Sequence, residues 1–472
     1  MPDRRLAVAR GDEPADLVFR GGSVLSVFTS EVFRADVAVV DGQIVGVGEY
    51  DGPDIFDATG TVLAPGFIDG HCHIESSKLD VAEFARAILP SGTTTVVVDP
   101  HELANVLGIR GVEYVLSASR EPFPLRVLVM MPSCVPASRF ESPAAPITAG
   151  DIRSMLTLDR VIGVAEVMNY PGAVAGHEEV LATLAAAGDR HIDGHAPGVT
   201  GNDLNAYILS GPSSDHECTT LDEALEKRRL GMWIMIREAS MIRNLEDILP
   251  LVQHYGTENT MFVTDDREAG TLLHEGHINS MVAHAVRLGL SPGDAVKLGS
   301  LNVARFHGLK ALGAIAPGFV ADITVLPDLT RFTPLAVFKG GRLVADAGIA
   351  RPFESPAPPT WVRDTVHSAP VSEETFRIPY DGTPMARCIS LVRDQVVTES
   401  QLHAPAVAGG QIVADPSRDL VKLAVVERHH ATGRVGIGLV RGFGLRSGAF
   451  ASSIAHDAHN IIVAGVDDGD MA

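Results

Sequence analysis

The sequence predicts an α/β protein whose centre is a TIM-type (β/α)8 barrel, joined to a composite N-terminal β-sandwich and an additional C-terminal α+β domain. Through the middle of the chain, short β-branched runs alternate with amphipathic helical patterns such as "DVAEFARAILPSG" and "GHEEVLATLAAAG". Eight such units fit between Pro65 and Lys310, a span of 246 residues, and a barrel typically takes roughly 250 residues. No GxGxxG pattern follows the first predicted strand, so a doubly wound open sheet is the weaker alternative.

Two β-rich pieces flank this middle segment. Residues 1–64 contain short alternating runs broken by turns, among them "DLVFRGGSVLSV" and "ADVAVVDGQIVGVGEY". A matching stretch, "GAIAPGFVADITVLPDL", returns within residues 311–352. We therefore expect residues 1–64 and 311–352 to form one composite β-sandwich, with a barrel of residues 65–310 inserted between its two parts.

Eight runs are the predicted barrel strands. In chain order they read "GFIDGH", "TTTVVVDP", "RVLVMMP", "VIGVAEV", "HIDGH", "AYILSG", "WIMIRE" and "MFVTDD". Most of them are short and rich in apolar residues, which is typical of parallel strands that are buried on both faces. The sixth run, residues 206–211, leads into the polar stretch "SSDHECTT".

A third segment follows the barrel and the sandwich. The stretch "RPFESPAPPTWV" is rich in proline, which is typical of a linker. Residues 363–472 then contain four strand-like runs, "CISLVRDQVV", "LVKLAVVERH", "VGIGLV" and "NIIVAGV". We expect these residues to form the C-terminal domain.

Composition restricts the possible partners and the cellular location. The net charge of −21 disfavours nucleic acid and anionic membranes, because both attract basic surfaces. The N-terminal residues lack the apolar core of a signal peptide, and no apolar run reaches the length of a membrane span. The four cysteines form no CxxC pair, which is typical of reduced, buried thiols. We expect a cytoplasmic homo-oligomer that acts on a small molecule.

Polar side chains gather where the predicted barrel strands end. The carboxyl ends of barrel strands share one face, and active sites lie at that face. In chain order the polar residues there are His71, His73, Asp99, His101, Glu166, His195, Asp215, His216, Glu217, Arg237 and Asp265. His71, His73 and Glu75 occupy alternate positions, so in an extended strand all three would point to the same side.

Each of these residues also has a structural interpretation. A lone histidine at a strand end is more often a core residue, and Asp265 could cap the next helix. Glu166 could pair with an arginine, Cys218 could be a small buried hydrophobe, and "DPHE" could be an ordinary turn. Four histidines and two carboxylates on one rim instead favour divalent manganese, iron, zinc or cobalt. Such ions activate water to hydroxide near neutral pH.

Stretches along nearly the whole chain resemble the amidohydrolase superfamily and, within it, the bacterial adenine deaminase family. "PGFIDGHCHIESS" is similar to the first-strand signature of the superfamily. The similarity to adenine deaminases lies in "GTTTVVVDPHELANVLG", "EVMNYPG", "DGHAPG", "SSDHECTT", "RRLGMWIMIREAS", "TDDRE" and "SSIAHDAHNIIVAGVDDGDM". Members of that family continue beyond the last motif, so the resemblance implies a C-terminal domain that is shortened here.

The resemblance implies hydrolytic deamination of adenine to hypoxanthine and ammonia, a step of purine salvage, at a binuclear metal centre. By position, His71 and His73 would bind the first ion, with Asp265 close to it. His195 and His216 would bind the second ion. The ions would be manganese or iron(II), with zinc as the alternative. Asp265 would also accept a proton from the attacking water.

Other residues would complete the chemistry. Replacing the amine at C6 requires activated water, a proton on N1 and a proton on the departing amine. The resemblance implies that Glu166 bridges the ions or contacts the purine, and that Asp99 and His101 transfer protons. We expect further substrate contacts from polar residues of the rim and of the third domain: Glu75, Asp215, Glu217, Arg237 and His459.

Two other functions stay open on the sequence. Hydantoinases and dihydroorotases, which open cyclic amides, typically bridge their metals with a carboxylated lysine, but no lysine lies between Arg160 and Arg190. A truncated homologue that binds purines without turnover is the second alternative. The zinc deaminases of nucleic acids are disfavoured because their combined pattern, H-x-E followed by P-C-x-x-C, is absent: the sequence has no P-C-x-x-C. The polar cluster His456, Asp457, His459 and Asn460 is either a turn or a cover over the rim.

Overall fold

A computed structural model describes residues 4–393 and 397–472. These residues form two compact units, each with hydrophobic clusters of its own. The first unit contains the chain up to Pro100 together with Val112–Cys134 and Thr148–Ala357. The second unit contains His101–Gly111, Val135–Ile147 and Pro358–Ala472.

The first unit contains a β-sandwich built from both ends of its chain. One sheet has four strands, Leu17–Arg20, Asp36–Val40, Gln43–Gly48 and Asp54–Asp57. The other sheet has seven, Ser23–Leu25, Val32–Arg34, Val62–Pro65, Ile323–Leu326, Ala336–Lys339, Arg342–Asp346 and Ile349–Ala350. Phe19 of the first sheet packs against Phe338 of the second with ring centroids 4.8 Å apart. The early and late strands meet where Val62–Pro65 pairs antiparallel with Ile323–Leu326.

Eight parallel strands of the first unit form the curled sheet of a barrel. Barrel strands one to eight are Phe67–Cys72, Thr93–Val98, Arg126–Met131, Val161–Val167, His191–Gly194, Ser214–Asp215, Trp233–Arg237 and Thr260–Val263. The first five pair in one ladder and the last three in another. Ser213 N donates to Ile192 O at 3.1 Å between the ladders, and Cys72 bridges Asp265 on the other side. These two links confirm the predicted (β/α)8 arrangement.

Most of the helices follow barrel strands, and one helix lies near each end of the described residues. The α-helices are Arg4–Ala9, Val81–Ile88, His101–Leu107, Ile109–Ala118, Ala149–Met155, Tyr170–Val174, Glu178–Ala185, Gly201–Leu209, Leu221–Arg229, Leu245–Tyr255, Ala269–His274, Ile278–Arg287, Pro292–Leu298, Leu301–Phe306 and Asp468–Met471. Short 3-10 helices are Glu75–Ser77, Leu89–Ser91, Thr360–Val362, Glu373–Phe376 and Pro416–Arg418. Both helical patterns singled out in the sequence form helices, Val81–Ile88 and Glu178–Ala185.

The run "AYILSG" is not a strand, so that prediction is wrong. Most of it belongs to the helix Gly201–Leu209. Leu204 and Tyr207 are buried three residues apart, whereas Leu209 is 89% exposed, which is the pattern of a helix with one buried face. The sixth barrel strand is instead the two-residue Ser214–Asp215. A short apolar run does not by itself distinguish a strand from a helix.

The C-terminal part of the second unit is made mainly of strands. A six-stranded sheet contains Ala386–Leu391, Thr398–His403, Leu420–Val426, Val435–Arg441, Ala449–Ser452 and Ile461–Gly465. A three-stranded sheet contains Ile378–Pro379, Ala406–Ala408 and Gln411–Val413. Phe376, Val426 and Val463 pack in one buried cluster beside the larger sheet. The predicted strand "CISLVRDQVV" is a strand over its first half, and its residues 394–396 lie outside the described residues.

Two expectations from composition can be compared with the structure. All four cysteines are free and buried, as the absence of CxxC pairs predicts. Burial holds the pKa of the Cys218 thiol well above its usual range, so this side chain is an unreactive thiol at neutral pH. Within residues 4–393 and 397–472, no helix is both long enough and apolar enough to cross a membrane.

We predict that Phe262→Ala destabilises the first unit strongly. Phe262 lies in barrel strand eight, is fully buried and belongs to an extended cluster of buried apolar side chains. Truncating a buried phenylalanine leaves a cavity and typically costs about 3–5 kcal/mol. The urea midpoint followed by circular dichroism should fall clearly, while Leu209→Ala, at an 89% exposed position, should leave it nearly unchanged. Equal midpoints for the two variants would contradict the assignment of this core.

Candidate metal centre

The seam between barrel strands eight and one brings Asp265 against the two histidines of "HCH". Asp265 N donates to His71 O at 3.0 Å, and His73 N donates to Asp265 O at 3.5 Å. Asp265 has φ of 57°, a left-handed conformation that aspartate tolerates better than most residues. As a result, Asp265 Oδ1 lies 3.1 Å from His73 Nε2 and 3.6 Å from His71 Nε2. His71 and His73 face each other with their Nε2 atoms 3.1 Å apart.

Glu166 lies between this histidine pair and a second one. It is the sixth residue of barrel strand four and is buried. Its Oε1 lies 3.5 Å from His73 Nε2. Its Oε2 lies 2.5 Å from His195 Nδ1 and 3.2 Å from His216 Nε2. One carboxylate therefore turns a different oxygen toward each pair of histidines.

These donor atoms have the chemistry and spacing of metal ligands. One ligand atom each from His71, His216 and Asp265 lies within 4.8 Å of the others, and the same holds for Glu166, His195 and His216. His73 Nδ1 lies 2.9 Å from the carbonyl oxygen of Asp99, so Nδ1 carries the hydrogen that is donated there. The lone pair on Nε2 then faces Asp265, as in metal-binding histidines whose other nitrogen donates to a carbonyl. Imidazole and carboxylate donors suit divalent ions such as manganese, iron or zinc.

Arg237 fixes the far side of Asp265. Its guanidinium is buried and lies 3.0 Å from Asp265 Oδ2, opposite the oxygen that faces the histidines. The same guanidinium forms an ion pair with Glu217. Burial opposes the charge on Arg237, but Asp265 and Glu217 outweigh it and raise its pKa above the usual range. Arg237 therefore orients both carboxylates.

Asp215 has partners on both carboxylate oxygens. Ala196 N donates to its Oδ1 at 2.7 Å, and Lys227 Nζ donates to its Oδ2 at 2.9 Å. Lys227 also donates to Ala196 O and to Glu223, and it is fully buried. Burial opposes ionisation of Asp215, but Lys227 lowers its pKa to about 2. Asp215 thereby fixes the segment after His195, and its role as a substrate contact stays a prediction.

Tyr207 and Lys227 are supporting residues that the sequence did not indicate. His195 N donates to the Tyr207 hydroxyl at 2.8 Å, and that hydroxyl donates to Val167 O at 3.2 Å. Tyr207 lies in the helix Gly201–Leu209, where the sequence pattern predicts a strand. Lys227 lies in a charged helix, "LDEALEKRR", that is typical of a solvated surface. A helical interpretation of "NDLNAYIL" would have indicated a buried face at Leu204 and Tyr207.

Neighbouring charges shift the pKa values of the centre. Burial alone would raise the pKa of Glu166, but His195 and His216 hold it well below its usual range. The pKa of Asp265 is likewise low, because the adjacent histidine pair and Arg237 outweigh its burial. Burial alone would lower the pKa of His195, but Glu166 raises it to about 9. Both carboxylates are therefore ionised at neutral pH, which is the form that binds cations.

Two residues next to the centre differ in how well they follow the predicted pattern. Asp99 directly follows barrel strand two and is buried, and its backbone contacts His73 as predicted for neighbouring strand ends. The alternation predicted for His71, His73 and Glu75 does not reach Glu75. The strand ends at Cys72, and Glu75 begins the 3-10 helix Glu75–Ser77. The period of two holds only in extended backbone, so it does not continue into this helical turn.

His101 and His459 belong to the second unit. His101 begins the helix His101–Leu107, and its Nε2 lies 3.6 Å from Asp457 Oδ1. His459 lines a cavity of about 450 Å³ together with Glu141, His456 and Asn460. Burial lowers the pKa of His459 to about 4, so its ring is neutral at physiological pH. Within the cluster, His459 and Asn460 are buried, Asp457 is partly buried and His456 is exposed, and its role as a cover stays a prediction.

Comparison with known proteins places the chain in a family. A model of the amidohydrolase family matches residues 62–344, and a model of the adenine deaminase C-terminal domain matches residues 395–472. The chain is 46% identical over 465 residues to adenine deaminase 2 of Carboxydothermus hydrogenoformans, covering 98% of this chain and 81% of that protein. It is 44% identical over 471 residues to the adenine deaminase of Desulfatibacillum aliphaticivorans, covering 99% and 82% of the two chains.

Solved structures share the fold at low sequence identity. The β-aspartyl dipeptidase of Fervidobacterium islandicum AW-1 superimposes with a TM-score of 0.54 at 18% identity, over 72% of this chain and 99% of that one. The D-hydantoinase of Bacillus sp. AR9 gives a TM-score of 0.54 at 15% identity, over 71% and 96% of the two chains. At these identities the likeness concerns the barrel fold and not the reaction.

We predict that the second unit loses stability as pH rises through the titration of Glu141. Burial, with Asp457 nearby, raises the folded-state pKa of Glu141 to about 7, while the unfolded chain has the ordinary value near 4.5. The folded state therefore binds more protons than the unfolded state between these values, so stability falls across that window. Glu141→Gln removes the titration.

The melting temperature of Glu141→Gln, measured by circular dichroism, should exceed that of the wild type by a clearly larger margin at pH 8 than at pH 5. Glu31→Gln, at an exposed surface glutamate, serves as the matched control. An unchanged difference between wild type and Glu141→Gln at the two pH values would contradict the assignment.

Proposed function

The chain belongs to the amidohydrolase family and, within it, to the adenine deaminases, and from this premise we propose that it catalyses the hydrolytic deamination of adenine to hypoxanthine and ammonia. The observation that carries the proposal is the position of Glu166. Its two oxygens face two histidine pairs, His71 with His73 and His195 with His216. This is the arrangement expected of a carboxylate shared between two neighbouring cations. Asp265 completes the set beside the first pair.

Two divalent ions would be held by His71, His73 and Asp265 on one side and by His195 and His216 on the other, with Glu166 shared. When bound, such ions supply an activated water at neutral pH. Manganese or iron(II) is proposed on the resemblance, with zinc as the alternative. The predicted cytoplasmic location and homo-oligomeric state stay proposals of the same kind.

The protein's own groups would manage the protons. Asp265 is ionised, and Arg237 fixes its Oδ2 so that Oδ1 faces the reaction space. That oxygen would accept the proton of the attacking water. Protons must also reach N1 of the purine and the departing amine, because an amide ion is too poor a leaving group. Asp99 and His101 are proposed for these transfers on the sequence resemblance, while Glu166 would be shared between the ions or contact the purine.

A cyclic-amide hydrolase with a carboxylated lysine is the weaker candidate. A carbamate forms on a neutral amine, and barrel strand four offers Glu166 instead of lysine at the shared position. Lys227, a buried lysine of the first unit, donates to Ala196 O, Asp215 and Glu223. Burial lowers the pKa of Lys227, but its acidic partners outweigh this and raise the pKa, so it stays charged. It is therefore unavailable for carboxylation.

Ammonia release tests the proposed reaction directly. The purified, metal-loaded protein should release ammonia from adenine at the rate at which hypoxanthine forms, and it should not open hydantoin or dihydroorotate. Ring opening without ammonia release from adenine would favour the cyclic-amide alternative. Binding of adenine without turnover of any of these compounds would favour a non-catalytic purine-binding homologue.

We predict that His216→Ala lowers the metal content by about one ion per chain and reduces adenine turnover to background, because each ion has few protein ligands. Metal content is measured by mass spectrometry of the acid-digested protein, and turnover by ammonia release. His254→Ala, at an exposed helix position, is the matched control and should retain both. Full metal content and full turnover in His216→Ala would reject the ligand assignment.

We predict that His101→Asn lowers kcat about 10²-fold, the usual effect of removing a positioned acid or base. Asparagine preserves approximate size and polarity, so the metal content and the circular dichroism spectrum should stay as in the wild type. His430→Asn, at an exposed histidine of the same unit, should keep its kcat. If kcat of His101→Asn equals that of the wild type, His101 is only a helix-terminal residue.

A further inference from the structure

The first unit contains a second histidine and aspartate cluster that the proposed deamination does not use. It consists of His191, Asp193 and His307, and is here called the lower cluster. His191 is the first residue of barrel strand five, whereas His195 of the metal centre follows the last. At about 3.3 Å per residue, the two alpha carbons are about 13 Å apart. The lower cluster therefore extends toward the amino ends of the strands.

Its donor atoms are close together. A ring nitrogen of His191, a ring nitrogen of His307 and a carboxylate oxygen of Asp193 all lie within 4.8 Å of one another. His191 Nε2 is 3.3 Å from Asp193 Oδ1. Two donors that each lie roughly 2.0–2.1 Å from one tetrahedral ion are about 3.3 Å apart, which matches this pair of atoms. Phe306 contacts the His191 ring edge-on, with centroids 3.8 Å apart, and so limits its rotation.

Two atoms of the cluster are buried without a hydrogen-bond partner in the described structure, Asp193 Oδ2 and His307 Nδ1. Asp193 is fully buried, and His307 is 9% exposed. His307 Nε2 lies 2.9 Å from Gly70 O, so Nε2 carries the hydrogen and Nδ1 keeps a lone pair. A buried carboxylate oxygen and a buried imidazole lone pair both require a donor or a cation.

We propose that His191, Asp193 and His307 bind a further divalent cation of the zinc class, separate from the centre at the carboxyl ends of the strands. Two imidazoles and one carboxylate are the ligand types such an ion prefers, and water would complete the coordination. The ion would neutralise the buried charge of Asp193 and accept the lone pair of His307. The His191 side chain is 22% exposed and provides a route from solvent.

The charge state of the cluster agrees with this role. Burial lowers the pKa of His307 to about 4, so its ring is neutral at physiological pH, the form that binds metal. The hydrogen bond from His307 to the backbone of Gly70 orients the ring in the way that carbonyl partners orient metal-binding histidines.

The test is a zinc titration of the metal-free full chain, with bound zinc determined by mass spectrometry after equilibrium dialysis. The wild type should bind about three zinc ions per chain, and His307→Gln and His191→Asn about two. His254→Gln, at an exposed histidine, should bind as many ions as the wild type. Combining His216→Ala with His191→Asn should remove about two ions, since the two sites share no ligand.

Two results would overturn the proposal. One is a wild type that binds only two ions, which would mean that the cluster holds water or hydrogen bonds alone. The other is unchanged zinc content in both His191→Asn and His307→Gln. Circular dichroism establishes that each variant is folded, and His191→Asn, at the partly exposed member, remains decisive if the buried His307→Gln does not fold. The zinc count does not depend on whether adenine is the substrate.

Discussion

The backbone pairing between the end of barrel strand eight and the end of strand one is the constraint on which the metal centre depends. Asp265 N and O both contact the backbone of the "HCH" segment, which closes the barrel at that point. The same contacts place the Asp265 carboxylate against His71 and His73, almost two hundred residues away in the sequence. The same backbone contacts therefore close the barrel and place the ligands, so a change in one affects the other.

The centre also depends on how buried charge is balanced. Glu166, Asp265, Glu217 and Asp215 are all buried carboxylates, and an isolated carboxylate in such surroundings is strongly unfavourable. Histidines compensate Glu166, histidines together with Arg237 compensate Asp265, and Arg237 and Lys227 form ion pairs with Glu217 and Asp215. Glu166 and Asp265 can therefore exchange their contacts with histidine for contacts with cations. The permanent charges of arginine and lysine hold the surrounding segments in place. Removing one member of such a pair is costly, because it leaves an uncompensated charge in the interior.

The sequence predicted the fold class and the grouping of the polar residues, but not the residues that support them. The rule that strand ends share one face depends only on topology, so it correctly brought His71, His73, Glu166, His195, His216 and Asp265 together. It could not identify Lys227, because six charged residues in a nine-residue helix resemble a solvated surface until the packing is known. The apolar run at residues 206–211 predicted a strand wrongly, because tertiary contacts of Leu204 and Tyr207 favour a helix there. The lower cluster was missed for a similar reason: His307 follows a helix after the last strand, and only packing brings it to strand five.

The pairing of Val62–Pro65 with Ile323–Leu326 bears on how the chain can fold as it is synthesised. Val62–Pro65 emerges from the ribosome directly before the first barrel strand, but its partner emerges only after the whole barrel has been translated. At about 5–20 residues per second, the early strand waits tens of seconds for that partner. During this time its edge is exposed and can pair with other chains, unless something covers it. The sandwich therefore forms late. It joins the chain segments before and after the barrel only when nearly the complete first unit has been translated.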